Sequence, residues 1–261
     1  MSDQITVEQR GHLLLMGFNR PAKYNAFTPA MYRTLAAAYY RLHSDPELRV
    51  GVLWAAGEHF TGGLDLPLWG DHMSSGEGFK TGDGEIDPFG LDLQNRCAKP
   101  VVMAAQGICY TLGWELMLAC DARVVANDIR LAMLEVKRGF YPTGGATIRM
   151  ERELGWGHAM RYLLTGDELH ADEAHRLGLV QQVVAPGEQL QRAIDLAEAI
   201  ARGAPLGVQA CLHSARLARD AGQQAAINDL MPLMARLSKT DDVAEGLASF
   251  VERRDAVFTG S

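Results

Sequence analysis

Two short apolar runs, Val50–Ala56 and Val101–Ala105, each lead into a glycine-bearing turn. The first continues as Phe60-Thr61-Gly62-Gly63-Leu64-Asp65-Leu66. The second continues as Gly107-Ile108-Cys109-Tyr110-Thr111-Leu112-Gly113-Trp114-Glu115. Brief apolar runs closed by glycine read as buried strands, and residues 113–120 have the composition of a helix. Ile5-Thr6-Val7 and His12–Gly17 alternate like strands, and Arg123–Ala126 is a third apolar run. Thr28-Pro29 supplies a helix cap with proline at the first helical position. The spacing of Met31, Leu35, Ala38 and Leu42 then predicts an amphipathic helix. Strands alternating with helices predict an α/β architecture.

From Glu188 onward the chain reads as helical almost throughout. Leu190, Ile194, Ala197 and Ile200 fall on one helical face, and Leu212, Ala215 and Leu217 are expected on another. Residues 70–95 differ. Gly76, Gly78, Gly82, Gly84 and Gly90 lie among Ser, Asp and Glu, which predicts a mobile surface loop with at most a short helix.

Composition excludes several classes. Hydrophobic residues at 48% and charged residues at 22% are ordinary for a globular chain. The net charge of −7 and the lack of a basic cluster argue against nucleic acid as a partner. No apolar run approaches a membrane span, and residues 1–19 lack the pattern of a signal peptide. Cys97, Cys109, Cys120 and Cys211 form no CxxC and read as reduced thiols, which predicts a cytoplasmic protein.

Some familiar motifs fail. Ser75–Thr81 has Phe79 where a phosphate loop needs glycine before its lysine. His170 and His175 are spaced wrongly for a shared zinc-binding face, and no Gly-x-Ser-x-Gly elbow occurs.

The two glycine-bearing turns suggest more. Each puts backbone N–H groups where a strand ends and a helix begins, so together they could donate to one oxygen as an oxyanion hole. They equally fit plain tight turns. Glu115 and Glu135 each sit beside apolar residues, where burial raises a carboxyl pKa and suits proton transfer near neutral pH. Their own residue context also allows Glu115 as an acid at a helix N-terminus, and Glu135 as a partner of Lys137 or Arg138.

Further motifs join these: Asn19-Arg20-Pro21 with Asn25-Ala26, Phe60–Asp65, Lys99–Gly107, Glu115-Leu116 with Ala119-Cys120-Asp121, and Pro142-Thr143-Gly144-Gly145. Thr165-Gly166 through Gly178-Leu179-Val180, and Glu245-Gly246 through Phe258, complete the set. Taken together, they resemble the enoyl-CoA hydratase/isomerase (crotonase) family over nearly the whole chain.

This resemblance implies a crotonase-like spiral of ββα units over residues 1–195. It implies a helical oligomerisation region over residues 196–261, giving a homotrimer or a dimer of trimers. It implies an acyl-CoA thioester substrate, no metal and no redox cofactor, with coenzyme A arriving as part of the substrate. The amides of Leu64 and Leu112 would hold the thioester oxygen. Glu115 and Glu135 would add water across a 2-enoyl-CoA double bond. Gly62, Gly63, Asp65, Leu66, Gly113 and Thr143 would line or shape the acyl site, and Lys23, Tyr24 and Ala26 would lie by the nucleotide. Arg253 or Arg254 and Phe258 would reach a neighbour's CoA.

The family also contains isomerases, thioester hydrolases and decarboxylases, and the same fold serves weakly catalytic CoA- or RNA-binding proteins. Retention of both glutamates favours a hydratase. Leu64, Leu112, Trp69, Trp114 and Thr143 are expected as pocket walls, with Thr111 and Leu112 standing where glycines are usual.

Overall fold

The computed structural model of the chain describes residues 4–76 and 79–261. Strands β1 (Ile5–Arg10) and β2 (Leu13–Phe18) form a hairpin, and Pro21–Lys23 makes a turn of 3₁₀ helix. The Thr28 hydroxyl then caps helix α1 (Pro29–Ser44) by accepting from Met31 N at 3.1 Å. Met31, Leu35, Ala38 and Leu42 are all buried, as their spacing predicts.

Next come β3 (Val50–Ala55), α2 (Leu66–Ser75), β4 (Val101–Ala105), β5 (Ile108–Tyr110), α3 (Leu112–Ala119), β6 (Ala122–Ala126) and β7 (Arg130–Ala132). A 3₁₀ helix follows at Glu135–Arg138. After it run α4 (Ala146–Leu154), α5 (Trp156–Thr165), β8 (Leu169–His170), α6 (Ala171–Arg176) and β9 (Gln182–Val184). Helices α7 (Gln189–Ala201), α8 (Pro205–Ala221), α9 (Gln223–Leu237) and α10 (Asp241–Glu252) close the chain.

The main sheet has six strands in the order β1-β2-β3-β4-β6-β9, parallel except for β1 against β2. A second sheet holds β5-β7-β8. It is extended by single bridges, Thr61 to Cys109 and Phe27 to Leu64. The chain therefore alternates between layers. A strand of the main sheet passes to a rung of the second layer, then to a helix, then back to the next main strand. That alternation is the spiral of ββα units. Strands β3 and β4 are buried on both faces, which is why Val50–Ala55 and Val101–Ala105 read as unbroken apolar runs.

One face of the main sheet packs under α7, where Ile194 and Ala197 meet Leu13, Val50, Val102 and Val124. Leu190 and Ile200 join them, half-buried. The expected division at residue 195 falls inside this helix. On α8 the expected apolar face is open in the protomer, with Leu212 and Leu217 half-buried and Ala215 exposed.

The segment over residues 70–95, expected as a mobile surface loop with at most a short helix, is irregular and largely exposed after Ser75, but residues 86–89 within it are buried. Helix α2 runs to Ser75, and the chain beyond it turns inward, burying Ile86, Asp87 and Phe89. Asp87 holds this segment by accepting from the amides of Phe89 at 3.1 Å and Leu91 at 2.9 Å. Gly78 and Glu77, and with them part of the Ser75–Thr81 segment, lie outside the described residues.

Candidate active site

The two glycine-bearing turns meet. Thr61 N donates to Ile108 O and Tyr110 N donates to Thr61 O, both at 3.0 Å. A Cβ on Gly113 would stand 2.5 Å from the Thr61 methyl, and one on Gly63 would overlap the Thr111 hydroxyl. Glycine is needed at both places so that the turns can touch. Among the described residues, the amides of Leu64 and Leu112 have no acceptor in the protein. Both residues line a cavity of about 560 Å³. Thr111, just before Leu112, has φ 52° and ψ −116°, a backbone state that β-branched residues rarely occupy. That rotation sets the orientation of the Thr111–Leu112 peptide, whose N–H meets no acceptor among the described residues.

Glu115 sits in the first turn of α3 and is only 3% exposed. Its Oε1 accepts from Gly144 N at 2.6 Å and Ala146 N at 3.2 Å. Burial pushes its pKa up to about 7, and the nearby Glu135 carboxylate adds to the rise. The amide donors and Arg149 pull the other way. Glu135 opens the 3₁₀ turn at Glu135–Arg138, and burial pushes its pKa up to about 7 as well. Its Oε2 is buried with no hydrogen-bond partner among the described residues, a position that favours the protonated acid. Lys137 does not neutralise it, because that ammonium donates to Gly166 O at 2.7 Å. Arg138 makes no ion pair among the described residues and lines the cavity. The cavity wall carries both glutamates together with Leu64, Leu112 and Thr143. Both carboxyls on this cavity thus hold their protons to higher pH than an exposed glutamate does.

The other expected site residues fall into two groups. Gly62 and Leu66 line the cavity, as does Trp69. Lys23, Tyr24 and Ala26 lie on the turn behind it, where Tyr24 O accepts from Gly62 N at 2.8 Å and the Tyr24 ring stacks on His59. The Asp65 carboxylate accepts from the Arg20 guanidinium at 2.7 Å. Asn25, buried beside it, bridges the same turn to Ala56 O and His59 O. Trp114 is not a pocket wall. It points into the core and meets the edge of Tyr162 at 6.0 Å between ring centroids. Side chains on α3 leave in different directions, so the residue next to Glu115 faces away from the cavity. Arg254 is tied to Glu245 and Glu252. Phe258 is half-buried, and its carbonyl accepts from Arg49.

The far wall comes from tertiary packing. Trp69 is pinned by its Nε1 donating to Phe27 O at 2.7 Å, and it meets Phe79 edge-on. Phe79 in turn stacks on Phe89 at 4.6 Å. His72, Phe140 and Tyr141 also line the cavity. The amides of Gly144 and Ala146 were equally beyond sequence reading, although the glycine pair after the second acid marked the turn.

The chain matches the enoyl-CoA hydratase/isomerase family over residues 8–261. It belongs to that family. A curated member, an enoyl-CoA hydratase of Mycobacterium tuberculosis, is 34% identical over 95% of this chain and 93% of its own. The (E)-benzylidenesuccinyl-CoA hydratase of Thauera aromatica is 33% identical over 98% of this chain and 99% of its own. A crystal structure of a probable enoyl-CoA hydratase/isomerase from Mycobacterium abscessus superposes with a TM-score of 0.95. It is 43% identical, with 99% of each chain covered. Within the enoyl-CoA hydratase/isomerase family, the spiral expected from the motifs is thus the shared fold.

Proposed function

We propose that this chain is an enoyl-CoA hydratase, adding water reversibly across the 2,3 double bond of a 2-enoyl-CoA. The observation that carries this reading is the buried Glu115 and the half-buried Glu135 facing one cavity that also holds two unpartnered amides. The thioester oxygen accepts from Leu64 N–H and Leu112 N–H. Charge that develops there as the enolate forms is held by fixed dipoles, and one such donor is worth on the order of 3 kcal/mol. Glu115 in its carboxylate form takes a proton from water as the water oxygen bonds to the β-carbon. Glu135 in its acid form gives its proton to the α-carbon. The proton gained equals the proton lost, so the pair is restored by exchange with solvent. As drawn, the mechanism uses no metal and no redox cofactor.

Coenzyme A enters with the acyl group. Lys23, Tyr24 and Ala26 lie where the turn behind Gly62 can meet its nucleotide, with the exposed Lys23 facing phosphate. A homotrimer, or a dimer of trimers, would cover the apolar face that α9 and α10 leave open at Leu230, Met231, Leu247 and Phe250. Location in the cytoplasm fits the four free cysteines, three of them buried. Among the described residues no helix is long and apolar enough to cross a membrane.

The test is hydration of a series of 2-enoyl-CoA esters by wild type, Glu115→Gln and Glu135→Gln. General acid–base groups contribute roughly 10²–10⁴-fold each, and each variant is expected to lose that much in kcat. Binding of acyl-CoA with no hydration at any chain length, and no effect of either variant on any turnover, overturns the reading. Double-bond migration without hydration would identify an isomerase.

A further inference from the structure

We propose that Arg149 is a positioning residue for Glu115, locking from behind the turn whose amides hold the Glu115 carboxyl. Its place in the fold supports this directly. Arg149 lies in the first turn of α4, and its own N–H donates to Gly145 O at 3.0 Å. Its Nη1 donates to Gly144 O at 3.2 Å. Its Nη2 donates to Phe89 O at 2.5 Å and to Gly90 O at 3.2 Å. The guanidinium thus ties the Gly144–Ala146 turn to the inward-folded segment that carries Phe89.

One residue, Gly144, stands between the two charged side chains and meets each through a different peptide group. The Gly144 carbonyl accepts from Arg149, and the Gly144 N–H donates to Glu115 Oε1 at 2.6 Å. A planar fork with several donors suits this role, because it fixes three carbonyls at once. Arg149 is half-buried and makes no ion pair among the described residues. Its charge is left to act on the carboxylates around it. Glu115 on α3 and Asp87 before Phe89 bring negative charge near it, and Arg96 and Arg219 bring like charge. The groups that face Glu115 are Glu135, Arg149 and the amides of Gly144 and Ala146.

The consequence is a double one. Arg149 keeps the amides aimed at Oε1, and its charge favours the carboxylate form that Glu115 needs as the base. Loss of Arg149 removes both effects, and each of them raises the pH at which Glu115 gives up its proton.

This inference rests on the hydratase reading for its kinetic readout, so the experiment includes one that does not depend on turnover. Wild type, Arg149→Met and Arg149→Lys are labelled with carboxyl-¹³C glutamate, and the Glu115 resonance is assigned by its loss in Glu115→Gln. Carbon chemical shifts are followed against pH, and the kcat profile is measured in parallel. In Arg149→Met the Glu115 midpoint and the acid limb of kcat are expected to rise by on the order of one pH unit. KM is expected to change far less than kcat. Arg149→Lys keeps the charge and loses the fork, so its midpoint should fall between the two. If Arg149→Met does not fold, Arg149→Lys carries the test through the same midpoint. An unmoved Glu115 midpoint in a folded variant overturns the positioning role, whatever the activity. A shifted midpoint in a protein that hydrates no enoyl-CoA leaves the positioning role standing and overturns the hydratase reading instead.

Discussion

Gly144 and Glu115 are fitted to each other: the Gly144 amide donates to Oε1 at 2.6 Å, and a Cβ on Gly144 would lie 2.7 Å from Oε2. The same missing side chain also clears Phe89, which a Cβ would approach to 2.9 Å. Gly144→Ala must therefore push the carboxyl or the turn aside. A displacement of about 1 Å at a reacting group costs roughly 10²-fold in rate. Gly144→Ala is expected to lose about that much in kcat, with a stability cost of roughly 1–3 kcal/mol from overpacking. Steady-state kinetics beside a melting curve checks this. Wild-type kcat in the variant would show that the carboxyl has room to spare.

Glu115 also carries a signature in stability. Its folded pKa of about 7 lies above the ordinary value of 4.5. Between those two pH values the unfolded chain has released a proton that the folded chain still holds. Stability from this group is complete below the lower value, falls as pH rises through the window, and is flat above about 7. Glu115→Gln removes that penalty while keeping an acceptor for Gly144 N. The variant is expected to be more stable than wild type at pH 8, by on the order of 2 kcal/mol, and to lose the advantage near pH 5. Urea denaturation at several pH values measures it. A stability difference that does not change with pH would contradict the raised pKa.

Thr111 bears backbone strain at φ 52° and ψ −116°. Such a state costs roughly 1–3 kcal/mol, against about 0.5–1 kcal/mol for the extra freedom of glycine in the unfolded chain. Thr111→Gly is expected to stabilise the protein by about 1 kcal/mol, raising Tm by roughly 2–4 °C. The Leu112 amide remains, so kcat should stay within a few-fold of wild type. A lower Tm would show that the Thr111 hydroxyl against Gly63 is worth more than the strain it accompanies.

How much of this was legible in the chain follows from the range of each interaction. The helix at Pro29–Ser44 was readable because its cap and its apolar face are local. Strands β3 and β4 were readable because burial on both faces leaves an unbroken apolar run. Strand β5 was not, since its few residues lie inside the turn that leads to Thr111. The glycines between residues 76 and 90 suggested freedom, and composition hid Ile86, Asp87 and Phe89, which are buried only because distant elements enclose them. At the site, the turns and both acids were visible as residue types. Which amides hold Glu115, and which way Trp114 points, depend on α4 and α5 packing against α3, and no local pattern encodes that.

The spiral has one more implication, in how labour is divided along the chain. Each turn of the coil delivers a different part of the cavity: Leu64 from one, Leu112 and Glu115 from the next, Glu135 from the one after. The aromatic wall of Trp69 and Phe79 comes from the connector between β3 and β4. That same connector also carries Leu64 and, through the Phe89 and Gly90 carbonyls held by Arg149, braces the turn against Glu115. A change in its length would thus reach the aromatic wall and the Glu115 carboxyl together.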